Sequence, residues 1–161
     1  MSTVPFDEAI RLADGRSTDL SAVMAIMNGA FSPRFGEAWT RSQCAGILPM
    51  AGVSLMLAYD NGSEQAVGFS LFRTVADEAE LLLLAVAPDH QHRGVGRRLL
   101  EQFVEQARAA GASRVHLEVR DGNPAVQMYR RAGFQPAGRR LDYYRGSDGR
   151  QYDAITLAHS L

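Results

Sequence analysis

Residues 86–97 read Val86-Ala87-Pro88-Asp89-His90-Gln91-His92-Arg93-Gly94-Val95-Gly96-Arg97, and the fold is decided here. Upstream, Glu80 to Ala87 is almost wholly apolar, as suits a central strand covered on both faces. Pro88-Asp89 breaks that strand. Downstream, Leu99, Leu100, Phe103, Val104 and Ala107 share one face of a helix predicted over Gly96 to Ala110 and ended by Gly111. A glycine-bearing loop between strand and helix leaves several backbone N–H groups unpaired, and the helix dipole adds positive potential. Gly94 and Gly96 let the backbone come close to an anion, and Arg93 and Arg97 add charge, so the loop reads as a pyrophosphate cradle. It fits neither Gly-x-Gly-x-x-Gly, which wants a small residue at Leu99, nor a P-loop, which needs a lysine.

Working outward, Glu8 to Leu12 reads as a short first strand. Asp19 is a candidate N-cap for a helix carrying Leu20, Val23, Met24 and Met27. A loop spans Phe31 to Gly36 and a weaker helix Glu37 to Leu48. Val53 to Tyr59 and Ala66 to Val75 form a hairpin around Asp60-Asn61-Gly62-Ser63. Arg114 to Arg120 alternates Val115, Leu117 and Val119 against His116, Glu118 and Arg120, a strand with two distinct faces. Asn123-Pro124 opens a short helix that Gly133 closes. Phe134 to Tyr144 and Gln151 to His159 are two further strands. The order β-α-α-β-β-β-α-β-α-β-β describes an α/β sandwich: a mixed central sheet of about six to seven strands with about four flanking helices.

A chain of 161 residues suggests one domain over 1–161, and 46% apolar with 22% charged residues argues against disorder. No apolar run is long enough to cross a bilayer, and the amino terminus lacks a basic-then-apolar signal pattern, so no membrane partner and a cytoplasmic location are expected. The single Cys44 excludes an internal disulfide and any multi-cysteine metal site and reads as a buried small hydrophobe. His90, His92, His116 and His159 lack the spacing of a metal motif, so no metal is expected. All 17 basic residues are arginine, which excludes a Schiff-base lysine. Residues 1–80 hold five arginines and ten acids (−5), whereas residues 81–161 hold twelve arginines and eight acids (+4). The basic half is a candidate site for an anionic ligand. No aromatic platform is interleaved with the arginines, which disfavours direct nucleic-acid binding.

The Gln-x-x-Gly-x-Gly form at Gln91 to Gly96 resembles the acetyl-coenzyme A signature of the GNAT N-acetyltransferase superfamily. Arg114 to Phe134, Arg-Val-His-Leu-Glu-Val-Arg-Asp-Gly-Asn-Pro-Ala-Val-Gln-Met-Tyr-Arg-Arg-Ala-Gly-Phe, resembles the second block of RimI-type ribosomal-protein alanine acetyltransferases. Asp142-Tyr143-Tyr144, Asp148-Gly149-Arg150 and Asp153-Ala154-Ile155 resemble that family's carboxy terminus. The resemblance covers about residues 55–158 and implies the GNAT fold. It also implies acetyl-CoA as co-substrate and the amino-terminal alanine of a small-subunit ribosomal protein as acceptor. A monomer or weak dimer is expected.

By that resemblance Leu84, Ala85 and Val86 pair their backbone with the pantetheine arm. Gln91, His92, Arg93, Gly94, Val95, Gly96 and Arg97 then hold the pyrophosphate, and Asn123 and Tyr129 touch the cofactor. Glu118 is the implied general base and Tyr129 the implied acid; Phe31, Trp39, Tyr143 and Tyr144 line the acceptor channel. From the residues alone other readings stay open. Glu118 could be a strand acid paired with Arg120 or Arg139, Tyr129 a core-edge aromatic on Met128, and Asn123 a helix cap only. Two departures from the family pattern fall in acceptor segments. Phe31-Ser32-Pro33 and Trp39-Thr40 are spread over a longer, glycine-containing loop, and Arg145 stands where a proline often follows the paired tyrosines. Acetylation of a small amine or antibiotic, or acyl-CoA sensing without catalysis, are the alternatives.

Overall fold

A computed structural model describes residues 9–61 and 64–161. The chain runs β1 (Ile10–Asp14), α1 (Leu20–Ala30), α2 (Arg41–Ile47), β2 (Val53–Asp60), β3 (Ala66–Val75), β4 (Glu78–Val86), α3 (Val95–Ala109), β5 (Arg114–Arg120), α4 (Ala125–Arg131), β6 (Gln135–Arg145) and β7 (Gln151–Ser160). This is the predicted order, with two local corrections. Asp19 does precede α1, but its carboxylate accepts from the Arg16 N–H (2.8 Å) and closes the turn before the helix instead of capping it. The second helix starts at Arg41, not Glu37. Thr40 Oγ1 accepts from the Gln43 N–H (3.2 Å) while Gln43 Oε1 accepts from the Thr40 N–H (2.8 Å), a reciprocal cap that leaves residues 37–39 in the loop. Glu8, expected to begin the first strand, and Gly62-Ser63 of the expected turn lie outside the described residues.

The seven strands form one sheet in the order β1-β2-β3-β4-β5-β7-β6, so β7 enters between β5 and β6. Among the described residues only β4 and β5 pair in parallel, joined through α3. On one face α3 buries Val95, Leu99, Leu100, Phe103 and Ala107, with Phe103 edge-on to Phe72 at 5.0 Å; Val104 is only partly buried at the margin. On the other face Val23, Ile26 and Met27 of α1 and Cys44 of α2 close over Leu57, Phe69 and Leu83. Cys44 is buried as expected, which pushes its thiol pKa up.

One irregularity lies where the site opens. Leu71 of β3 pairs with Leu83, and its neighbour Phe72 pairs with Leu81, so Leu82 is an extra residue in β4. The bulge shifts the alternation. Ala79 and Leu81 belong to the α3-side core, whereas Leu83 and Ala85 belong to the α1-side core. Leu84 and Val86 pack with the α3-side core and Leu82 with the α1-side core, so both faces are covered and the run is apolar throughout. Pairing of β4 with β5 covers only Glu78–Leu81 against Arg114–Leu117. Beyond Leu81 the two strands part and a cleft opens between them.

Candidate active site

The cleft holds about 1220 Å³ and is floored by Leu82–Val86 of β4 and Leu117–Arg120 of β5. Leu84, Ala85 and Val86 line it, and among the described residues their backbone has no strand partner on the β5 side. At the far end of β4, Gln91 Nε2 donates to the Val86 carbonyl (3.0 Å) and ties the loop to the strand. Gln91 is therefore a strut for the cradle. Gly94 takes φ +85° immediately before α3, a left-handed conformation that favours glycine, and His92 takes φ +61°. Arg98 N–H makes the first helical bond, to the Gly94 carbonyl (3.0 Å), so the N–H groups of Val95, Gly96 and Arg97 precede it and have no helical acceptor. A Cβ on Gly96 would meet Met128 Sδ at 3.4 Å and Leu84 Cδ2 at 3.6 Å, so packing alone does not demand glycine there. Gln91, His92, Gly94, Val95, Gly96 and Arg97 line the cleft; Arg93 is exposed and does not. Arg97 pairs with Glu101 one turn on (2.9 Å).

Glu118 stands on the cleft face of β5 with its side chain 10% exposed. Thr156, its cross-strand partner on β7, donates Oγ1–H to Oε2 (2.6 Å), and Arg140 Nε donates to Oε1 (3.0 Å). The alternative pairings with Arg120 or Arg139 do not form. Arg120 turns to Glu37, and Arg139 bridges Asp121 (2.8 Å) and Asp153 (2.9 Å). Tyr129 is buried, packs edge-on to Phe134 at 6.1 Å and lines the cleft. Its hydroxyl makes no hydrogen bond among the described residues, so it is both a core aromatic and a free phenol. Tyr144 O–H donates to the Glu118 carbonyl (3.4 Å), and half-exposed Tyr143 stacks edge-on against it at 4.9 Å. Phe31 and Trp39 pack at the margin of the α1-side core and face the same cleft. Burial raises both the Tyr129 and Tyr144 phenols far above their ordinary pKa, and the Glu37 carboxylate adds to each shift.

Glu37 is the residue that sequence reasoning missed. Its Oε1 accepts from Arg120 Nε (2.9 Å) and Asn123 Nδ2 (3.1 Å), with side chains 9% exposed at Glu37 and 10% at Arg120. Asn123 is not the expected cap of α4: the cap is Pro124 and the helix begins at Ala125, and Asn123 Oδ1 accepts from the Ala125 N–H (2.9 Å) from one residue before the cap. Nothing in sequence joins these groups; the only pointer to Glu37 was its place two residues before Trp39. The surrounding loop is held by contacts that unite the two departures from the family pattern. A Cβ on Gly36 would overlap the Arg145 carbonyl oxygen, and one on Gly146 would overlap that of Arg34. Ser147 N–H donates to the Pro33 carbonyl (3.0 Å). Phe35 is gripped between the Arg120 guanidinium, 3.6 Å above its ring, and Tyr152, edge-on at 5.2 Å.

A split parallel pair, with a glycine-bearing helix N-terminus at one end and carboxylates and phenols at the other, frames one cleft. Residues 20–134 match the acetyltransferase (GNAT) family, and the chain belongs to that family. It is 42% identical over 91 residues to the ribosomal protein bS18-alanine N-acetyltransferase of Escherichia coli K12, a match covering 56% of this chain and 61% of that protein's length. The crystal structure of the Escherichia coli ribosomal-protein-S18-alanine N-acetyltransferase superposes with TM-score 0.83 and 31% identity, covering 94% of this chain and 93% of that one. Ard1 from Thermoplasma volcanium superposes with TM-score 0.80 at 26% identity, covering 95% and 98%. Among the described residues no helix is long and apolar enough to cross a membrane.

Proposed function

We propose that the chain is an acetyl-CoA-dependent N-α-acetyltransferase of the cytoplasm that modifies the amino-terminal alanine of a small-subunit ribosomal protein. The observation that carries this reading is that Glu118, Tyr129 and the unpaired edge of β4 line one cleft. The residues present suit acetyl-CoA. The free edge of β4 offers amide partners to a pantetheine arm without requiring particular side chains, and the first-turn N–H groups of α3 suit a pyrophosphate.

Acetyl-CoA supplies the acetyl group as a thioester. An amino-terminal ammonium has a pKa of about 8, so roughly a tenth is free amine at neutral pH. Glu118 accepts a proton from the amine nitrogen as the C–N bond forms, directly or through one water. Tyr129 gives a proton to the sulfur as the C–S bond breaks, and is re-protonated through solvent from Glu118. Burial keeps the phenol protonated throughout the neutral range and makes it a weak acid, so its proton moves only as the sulfur gains negative charge. Arg140 and Thr156 hold Glu118 in place, and the aromatic walls Phe31, Trp39, Tyr143 and Tyr144 suit a peptide backbone.

The test is thiol release from acetyl-CoA with short peptides beginning Ala-Arg, beside the same peptides with a blocked amino terminus and an internal lysine. Release only with the free alanine terminus supports the reading. Release with small amines and not with peptides moves the acceptor to that class, and tight CoA binding without any release leaves a sensor.

A further inference from the structure

The Glu37 side chain is 9% exposed, with one carboxylate oxygen committed and one not. Both of its donors, Arg120 Nε and Asn123 Nδ2, reach Oε1; among the described residues nothing donates to Oε2. A carboxylate offers about four acceptor positions, and those of Oε2 stay open on the cleft side. Glu118 contrasts with it, since Arg140 and Thr156 engage one oxygen each. Glu37 lines the cleft with the aromatic side chains of Phe31, Trp39 and Tyr143, a setting that suits a cation. Its position is preset, because Phe35 is clamped beneath Arg120 and Gly36 is seated on Arg145.

We propose that Glu37 binds the acceptor's ammonium group through Oε2 and so selects for a free amine terminus over a blocked one. This rests on the reading that the acceptor is an amine. It assigns Glu37 the capture of the charged terminus before it is deprotonated, while Glu118 keeps the proton transfer.

Calorimetric titration of the CoA-bound protein with an Ala-Arg peptide, and with the same peptide N-acetylated, tests this without turnover. The wild type is expected to prefer the free terminus by about 10- to 100-fold, the value of a charge-assisted hydrogen bond. Glu37→Gln should erase that preference and leave CoA affinity intact, and Glu37→Asp, with the same charge on a shorter arm, should retain part of it. A preference that survives in Glu37→Gln overturns the proposal, as does no peptide binding to the wild type or a matching loss of CoA affinity. Thiol release measured on the same preparations judges the transferase reading separately. Turnover with the preference intact in Glu37→Gln removes only the role of Glu37. A preference erased in Glu37→Gln without any turnover in the wild type removes only the transferase.

Discussion

Gly36→Ala tests whether the docked acceptor loop sets the geometry of transfer. Gly36 takes φ +69°, where an L side chain costs about 1–2 kcal/mol. For a domain of this size that lowers Tm by about 2–8 °C. The larger effect is positional. The new Cβ overlaps the Arg145 carbonyl, so the two backbones must separate by roughly 1 Å, carrying Phe35, Glu37 and Trp39 with them. A misplacement of that size in a positioning element costs about 100-fold. Steady-state kinetics with the peptide varied at saturating acetyl-CoA, then the reverse, should show kcat/KM for the peptide falling about 10- to 100-fold and the acetyl-CoA KM changing less than about 2-fold. Gly146→Ala overlaps the Arg34 carbonyl from the other side of the contact, so its effect should be similar, and the double variant should lose less than the two separate losses combined. Wild-type peptide kinetics in a folded Gly36→Ala protein would refute the reasoning, as would an equal loss toward acetyl-CoA.

Glu118→Gln should lower kcat about 100- to 10,000-fold with the acetyl-CoA KM unchanged, since the amide keeps a partner for Arg140 but cannot take a proton. Unchanged kcat removes Glu118 as the base. Phe103→Ala, at a fully buried position against Phe72, should cost about 3–5 kcal/mol in urea unfolding, and a loss below about 1 kcal/mol contradicts the core assignment. Stability should also fall as pH rises past about 10. There the unfolded chain releases the protons of Tyr129 and Tyr144, while the folded chain, whose phenols are raised by burial and then by Glu37, retains them. The contribution is fully present below pH about 10 and is lost above it. Tyr129→Phe should flatten that fall in the urea midpoint between pH about 9 and 11, and an unaltered slope would refute it.

Most of the fold was legible because its signals are local. The face of α3 carrying Leu99, Leu100, Phe103 and Ala107, the strict alternation of β5 and the chain-reversing Gly111 and Gly133 each lie within a few residues of what they control. The errors were local competitions won by a neighbour. Asp19 found the Arg16 N–H before a helical one, and the Thr40–Gln43 cap took the start of α2 from Glu37. In the site, Glu118 and Tyr129 stood out through family resemblance, and both do line the cleft. Which arginine meets Glu118 was not legible. β6 changes register between Arg140 and Tyr144, with Asp142 at φ +52°, so simple alternation fails along that strand.

By itself the sequence determined the elements, their order and the glycine-bearing turn into α3, since periodicity and turns are properties of neighbouring residues. Only the tertiary structure decided where β4 leaves β5. The extra Leu82 is defined by its register against Phe72 and Leu71, and register is a relation between strands. Only the tertiary structure brought Glu37 to Arg120 and Asn123 across 83 and 86 residues. Only it seated Gly36 on Arg145. Such contacts follow from how folded layers meet, so no pattern along the chain announces them.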